Sequence, residues 1–146
     1  MMYTDILVKE NINNKCITDA LITIFKVEFC EITVVNGIDN FPKVEDDKII
    51  CVKEIFEQGF KLLLSIYLAE QKIKNIPTLN KFSSDFAIAV NNDCLLPSET
   101  VNPYEMILFT KDGKEEIVYL DVDKYDNEEL YFIDEKYLKD EKTHPS

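Results

Sequence analysis

Two apolar runs, Ile49 to Phe56 and Phe60 to Leu68, are separated only by Glu57, Gln58 and Gly59, and they constrain the fold more than any other part of the chain. Runs of this length joined by a short glycine-containing connection are the pattern of a β-hairpin. Along the second run, Phe60, Leu62, Leu64, Ile66 and Leu68 share one face, while Lys61, Leu63, Ser65, Tyr67 and Ala69 share the other. The second face is half apolar too, so the run reads as a central strand covered on both sides.

The flanking segments supply the other layers. Between Asn13 and Glu28, residues Ile17, Ala20, Leu21, Ile24 and Val27 recur at intervals of three and four, which predicts an amphipathic helix with Asn14 as its cap. Phe29 to Val35 alternates, with Cys30, Ile32 and Val34 on one side, and predicts a strand that ends at the Asn36-Gly37 turn. Ile38 to Lys48 holds Pro42 and the acids Glu45, Asp46 and Asp47 without a period, and reads as a loop. Leu79, Phe82, Phe86, Ala89 and Val90 fall on a second helical stripe, with Thr78 as its N-cap. Asn91 to Pro103 is irregular. Tyr104 to Thr110 and Lys114 to Val122 then form a second hairpin around Lys111-Asp112-Gly113, and Glu129 to Ile133 predicts a last strand.

The resulting order, α-β-β-β-α-β-β-β, is that of an α+β fold: an antiparallel sheet of about five to six strands, in two hairpin-containing units, with two helices. With 146 residues, 46% of them hydrophobic, the chain is expected to form a single acidic domain, its charged tail (residues 135–146) mobile. Met1 to Lys9 mixes polar and apolar residues, and no apolar run approaches the roughly 20 residues a bilayer-spanning helix needs. A cytoplasmic protein without signal peptide or membrane span is the expectation. The four cysteines, Cys16, Cys30, Cys51 and Cys94, lack the spacing of a zinc site or redox pair and read mostly as small core residues.

Charge narrows the function classes. The net charge is −12 and is unevenly spread, from 0 over residues 1–27 to −6 over residues 111–146. Such a field repels nucleic acid and anionic membrane and attracts basic surfaces. All sixteen cations are lysine, so no guanidinium fork exists for bidentate phosphate recognition. The sole histidine, His144, sits at the C-terminal end, where a catalytic base is not held in place, which argues against Ser-His-Asp and Cys-His mechanisms. The glycines Gly37, Gly59 and Gly113 are isolated at turns and build no phosphate loop. Cys94, beside Asn91, Asn92 and Asp93, is the cysteine expected to be most exposed, although nearby acid disfavours its thiolate. Tested as a calcium loop beginning at Asp121, the acidic cluster places Asp126 where glycine is required and Phe132 where the final glutamate belongs. No catalytic residues, cofactor or metal are assigned.

What remains is a candidate partner-binding surface. Asp112 to Glu135 carries ten acids and two lysines. Strand parity along Lys114 to Asp123 puts Val118, Leu120 and Val122 in the core, and Glu115, Ile117, Tyr119, Asp121 and Asp123 on the open face. Tyr125, Asp126, Glu128, Glu129 and Tyr131 follow closely. Aromatic anchors with charge at the rim are how protein interfaces are commonly built. In its overall organisation, small, acidic, α+β and without a catalytic set, the chain resembles the immunity proteins of bacterial polymorphic toxin and contact-dependent growth inhibition systems. That resemblance implies a cytosolic inhibitor that binds a basic toxin domain, often a nuclease. Two other readings stand beside it: a carboxylate enzyme using Mg²⁺ with Asp121 and Asp123 as ligands, and a structural component that pairs through a strand edge.

Overall fold

The structure, a computed structural model, describes residues 1–42 and 47–134. The tail expected to be mobile, His144, Glu45 and Asp46 all lie outside the described residues. The chain is α+β. Strands β1 (Met2–Val8), β2 (Ile32–Asn36), β3 (Ile49–Ile55), β4 (Leu62–Leu68), β5 (Cys94–Pro97), β6 (Glu105–Phe109) and β7 (Glu115–Tyr119) build one sheet, in the order β2-β3-β4-β1-β5-β6-β7. Helices α1 (Asn14–Phe25), α2 (Leu79–Val90) and α3 (Val122–Glu128) complete it.

The hairpin that dominates the sequence is β3–β4, an antiparallel pair running from Ile49 opposite Leu68 to Ile55 opposite Leu62. Leu62, Leu64 and Ile66 are fully buried. They meet α1 and α2 across a core of Ile6, Ile17, Leu21, Phe25, Phe82 and Phe86. Tyr3 stands edge-on to both Phe25 and Phe82, and its hydroxyl donates to the Pro77 carbonyl at 2.7 Å. Burial pushes that phenol up to about 12. The Thr78 cap forms as expected, accepting from Lys81 N, whereas α1 is capped by Asn13 instead of Asn14. The Asn14 side chain instead accepts, at 2.9 Å, from the buried Lys53 amine, which also donates to the Ile12 carbonyl. A buried ammonium requires such partners.

Several expectations are corrected. Among the described residues, the sheet has seven strands instead of five or six and there are three α-helices instead of two, and the sheet is mixed because β2 runs parallel to β3. The additional strand β1 inserts between β4 and β5; a register shift after Met2 breaks its alternation, and Ile6, Leu7 and Val8 are buried in succession, so no period marks it. The stretch expected to be irregular after Asn91 holds β5, in which Cys94 is fully buried and its thiol is raised by desolvation. Conversely, the strand expected from Phe29 starts at Ile32, and Cys30 lies exposed in the 3₁₀ turn before it. The strand expected through Val122 stops at Tyr119, because Asp121 accepts from Lys124 N and starts α3; Val122 is consequently exposed instead of core. The last strand expected over Glu129 to Ile133 amounts to one bridge, Leu120 to Ile133.

The end of the chain's described part closes the sheet's other face. The Tyr131 carbonyl accepts from Phe60 N at 2.8 Å, and the next carbonyl, that of Phe132, accepts from Asp121 N at 2.7 Å. Adjacent residues are only about 3.8 Å apart, yet they join the β3–β4 turn to the end of β7, with three strands between them in the sheet order. The sheet therefore curls. Inside the curl, Leu7, Phe60, Leu95, Met106, Leu108, Val118 and Leu120 form a second core cluster. Gly59 is required here: its φ is +72°, and a Cβ at that position would lie 2.5 Å from the Tyr131 carbonyl oxygen. Among the described residues, no helix is long and apolar enough to cross a membrane.

Candidate functional site

Cross-strand partners share a face of a sheet, and this divides the surface expected from sequence. Tyr119 lies opposite Glu105, Ile117 opposite Ile107, and Glu115 opposite Phe109. Phe109 and Ile107 belong to the core under α1 and α2, so Glu115 and Tyr119 stand on the helix-bearing face. The Tyr119 hydroxyl donates to Glu105 at 3.2 Å there, and the other Glu105 oxygen accepts from Ser98. Tyr125 and Tyr131 pack on the second core cluster, on the opposite face. The expected patch is therefore two patches, divided by the sheet.

The larger group collects around α3. Asp121 caps the helix through the Lys124 amide at 3.1 Å, and Asp123 is exposed in its first turn. Glu128 pairs with Lys124 one turn earlier at 3.5 Å, while the Lys124 ammonium also lies over the Phe132 ring. Glu129 ends α3 in the left-handed conformation, with φ of 54°. Three tyrosines follow one another in space: the Tyr104 and Tyr125 ring centres are 5.9 Å apart, those of Tyr125 and Tyr131 5.5 Å, and Phe56 meets Tyr131 edge-on at 5.7 Å. Both Asp126 oxygens accept from the Tyr104 hydroxyl, at 3.0 and 3.1 Å, and this hydrogen bond raises the Tyr104 phenol.

Between this aromatic wall and the β3–β4 hairpin lies a cleft of about 420 Å³, lined by Glu54, Phe56, Leu63, Tyr125, Asp126, Glu129 and Tyr131. Three of the seven are carboxylates and none is a cation. Beside it Asp5 accepts from Ser65 at 2.6 Å. The Tyr131 phenol is raised, first by burial and then by the charges of Tyr125, Glu54, Asp5 and Glu129. Among the described residues no lysine forms an ion pair with Glu54, Asp126 or Glu129. Such a cleft has two attractions for a cationic side chain: carboxylates to meet the charge and tyrosine faces on which it stacks.

Sequence reading missed Asp5, Glu54, Phe56, Leu63 and Tyr104. The parity that set Leu63 and Ser65 on the second face of β4 was the available signal, since hairpin pairing then places Glu54 opposite Leu63. For Tyr104, at the foot of a proline-rich stretch, no such signal exists. Among the described residues, no group of three or more His, Cys, Asp or Glu is disposed to hold a metal ion, and the Asp121 carboxylate is engaged by its helix cap. Comparison with protein-family models, curated proteins and solved structures finds no match.

Proposed function

We propose that the chain is a cytosolic binding and inhibitor module for a basic protein partner, in the manner of the toxin-neutralising immunity proteins it resembles. The observation that carries this reading is the cleft in which Phe56, Tyr125 and Tyr131 stand beside Glu54, Asp126 and Glu129 with no lysine among its lining residues. A lysine or arginine of the partner enters it, and the exposed acids of α3, led by Asp123, guide the approach. Glu115 and Tyr119, on the other face, do not take part in this contact.

The test is a double charge reversal, Glu54→Lys with Glu129→Lys, both at exposed positions, so that the fold is retained. Wild type immobilised in extract of the native host should retain a protein of high isoelectric point, whose binding weakens as salt is raised. The variant should lose at least about tenfold in affinity for that same purified protein, as removal of close interfacial charge pairs does. Equal affinity of the folded variant removes the cleft from the interface.

A further inference from the structure

A groove of about 770 Å³ lies away from the acidic cleft, between α1, α2 and the segment leading into α2. Its apolar part is Ile24, Ile76, Pro77, Ile88 and Ala89; Ile88 is 51% exposed and Ile76 40% exposed, although both are large and apolar. Its charged lining is Lys26, Lys74 and Lys81 against the single acid Asp85. Lys81 is engaged by Asp85 one turn along α2, at 2.9 Å. Among the described residues, Lys26 and Lys74 form no ion pair. In a chain of net charge −12, this is a locally positive rim around an apolar floor.

We propose that this groove is a second docking site, for an acidic amphipathic helix of a partner protein. Three features select that occupant. The floor is apolar and runs between two helices, so it presents no free strand edge and offers packing to apolar side chains spaced at three and four residues instead. The lysine rim complements acidic flanks and repels basic ones, which is a source of specificity as much as of affinity. Lysine stems also extend the apolar floor while the ammonium groups stay in water.

The probe is a fluorescent amphipathic peptide of about four helical turns, with leucines on one face and glutamates elsewhere, beside a twin in which lysine replaces every glutamate. Anisotropy should show binding of the acidic peptide; the basic twin is drawn to the acidic cleft instead, and its binding should not fall in the Ile88→Asp variant. Lys26→Glu with Lys74→Glu should weaken binding of the acidic peptide at least about tenfold, and Ile88→Asp should abolish it, with melting temperatures held near wild type. The Glu54→Lys, Glu129→Lys variant should bind the peptide normally, which separates this site from the acidic cleft. The proposal is overturned by absent binding of the acidic peptide, by loss of the twin's binding in the Ile88→Asp variant, or by indifference of acidic-peptide binding to both groove variants. It is also overturned if light scattering shows self-association that Ile88→Asp removes, which would give the groove to a second copy, or if nucleic acid binds and Lys26→Glu with Lys74→Glu releases it.

Discussion

On one face of the sheet, α1 and α2 press Phe25, Phe82 and Phe86 onto Ile6, Leu62, Leu64 and Ile66; on the other, α3 and the segment after it close over a smaller cluster around Leu7, Leu95 and Leu108. The first closure is made by apolar side chains on two capped helices of 12 residues each. The second relies on backbone hydrogen bonds, those of Phe60 to Tyr131 and Asp121 to Phe132, and on a short helix without a buried residue. Side-chain closure leaves a groove between the helices. In that second cover Tyr125 and Tyr131 pack on the cluster and, with Asp126 and Glu129, also line the acidic cleft. The difference teaches that the cover whose helix buries no residue is the one whose side chains line the acidic cleft.

Three substitutions sharpen or break that contrast. Phe82→Ala, at a fully buried ring between Tyr3, Phe25 and Phe86, should cost about 3–5 kcal/mol in urea unfolding and lower the stability of the whole sheet. A loss under about 1 kcal/mol would mean that the helix face is not the principal core. Gly59→Ala should cost about 1–3 kcal/mol from the strained backbone alone, with a further penalty from the contact with the Tyr131 carbonyl. Its signature is local: amide exchange at Phe60 and Asp121 should accelerate far more than at amides within α1. Uniform acceleration would show that the two covers unfold as one unit. Smallest is Asp121→Ala, which removes the α3 cap and should cost about 1 kcal/mol, loosening α3 in exchange measurements while β3 and β4 keep their protection. An Asp121→Asn variant, which retains a capping oxygen, should restore most of that loss; if it does not, the carboxylate serves something other than the cap.

Much of the fold was legible, and the legible parts share a cause. The β3–β4 hairpin, the β6–β7 hairpin, the α2 stripe behind Thr78 and the buried side of β4 all follow from side-chain periodicity within a few residues. Where the periodicity was extended past its real end, the reading failed: parity carried beyond Tyr119 placed Val122 in the core, although the Asp121 side chain, a good N-cap, turns the chain into a helix there. Strands β1 and β5 escaped for different reasons. β1 is interrupted by its register shift and then buried on both faces, and β5 is only four residues ending in Pro97. At the candidate site, Tyr125, Asp126, Glu129 and Tyr131 were named from sequence, while Asp5 and Glu54 enter from strands, and Phe56 from the residue after β3, far away along the chain.

The amino-acid sequence by itself determined the buried face of β4, where two turns and one helix cap lie, that every cation is a lysine, and that acid gathers near the C-terminus. Tertiary structure decided the rest: that β1 inserts between β4 and β5, that β2 runs parallel to β3, and that the curl of the sheet carries Tyr131 to Gly59 so that Glu54 and Glu129 face one cleft. The reason is physical. Periodicity records the faces of an element because side chains differ, but strand pairing and the closing of the curl are made by amide and carbonyl groups that nearly every residue shares, and those leave no mark in the order of the side chains.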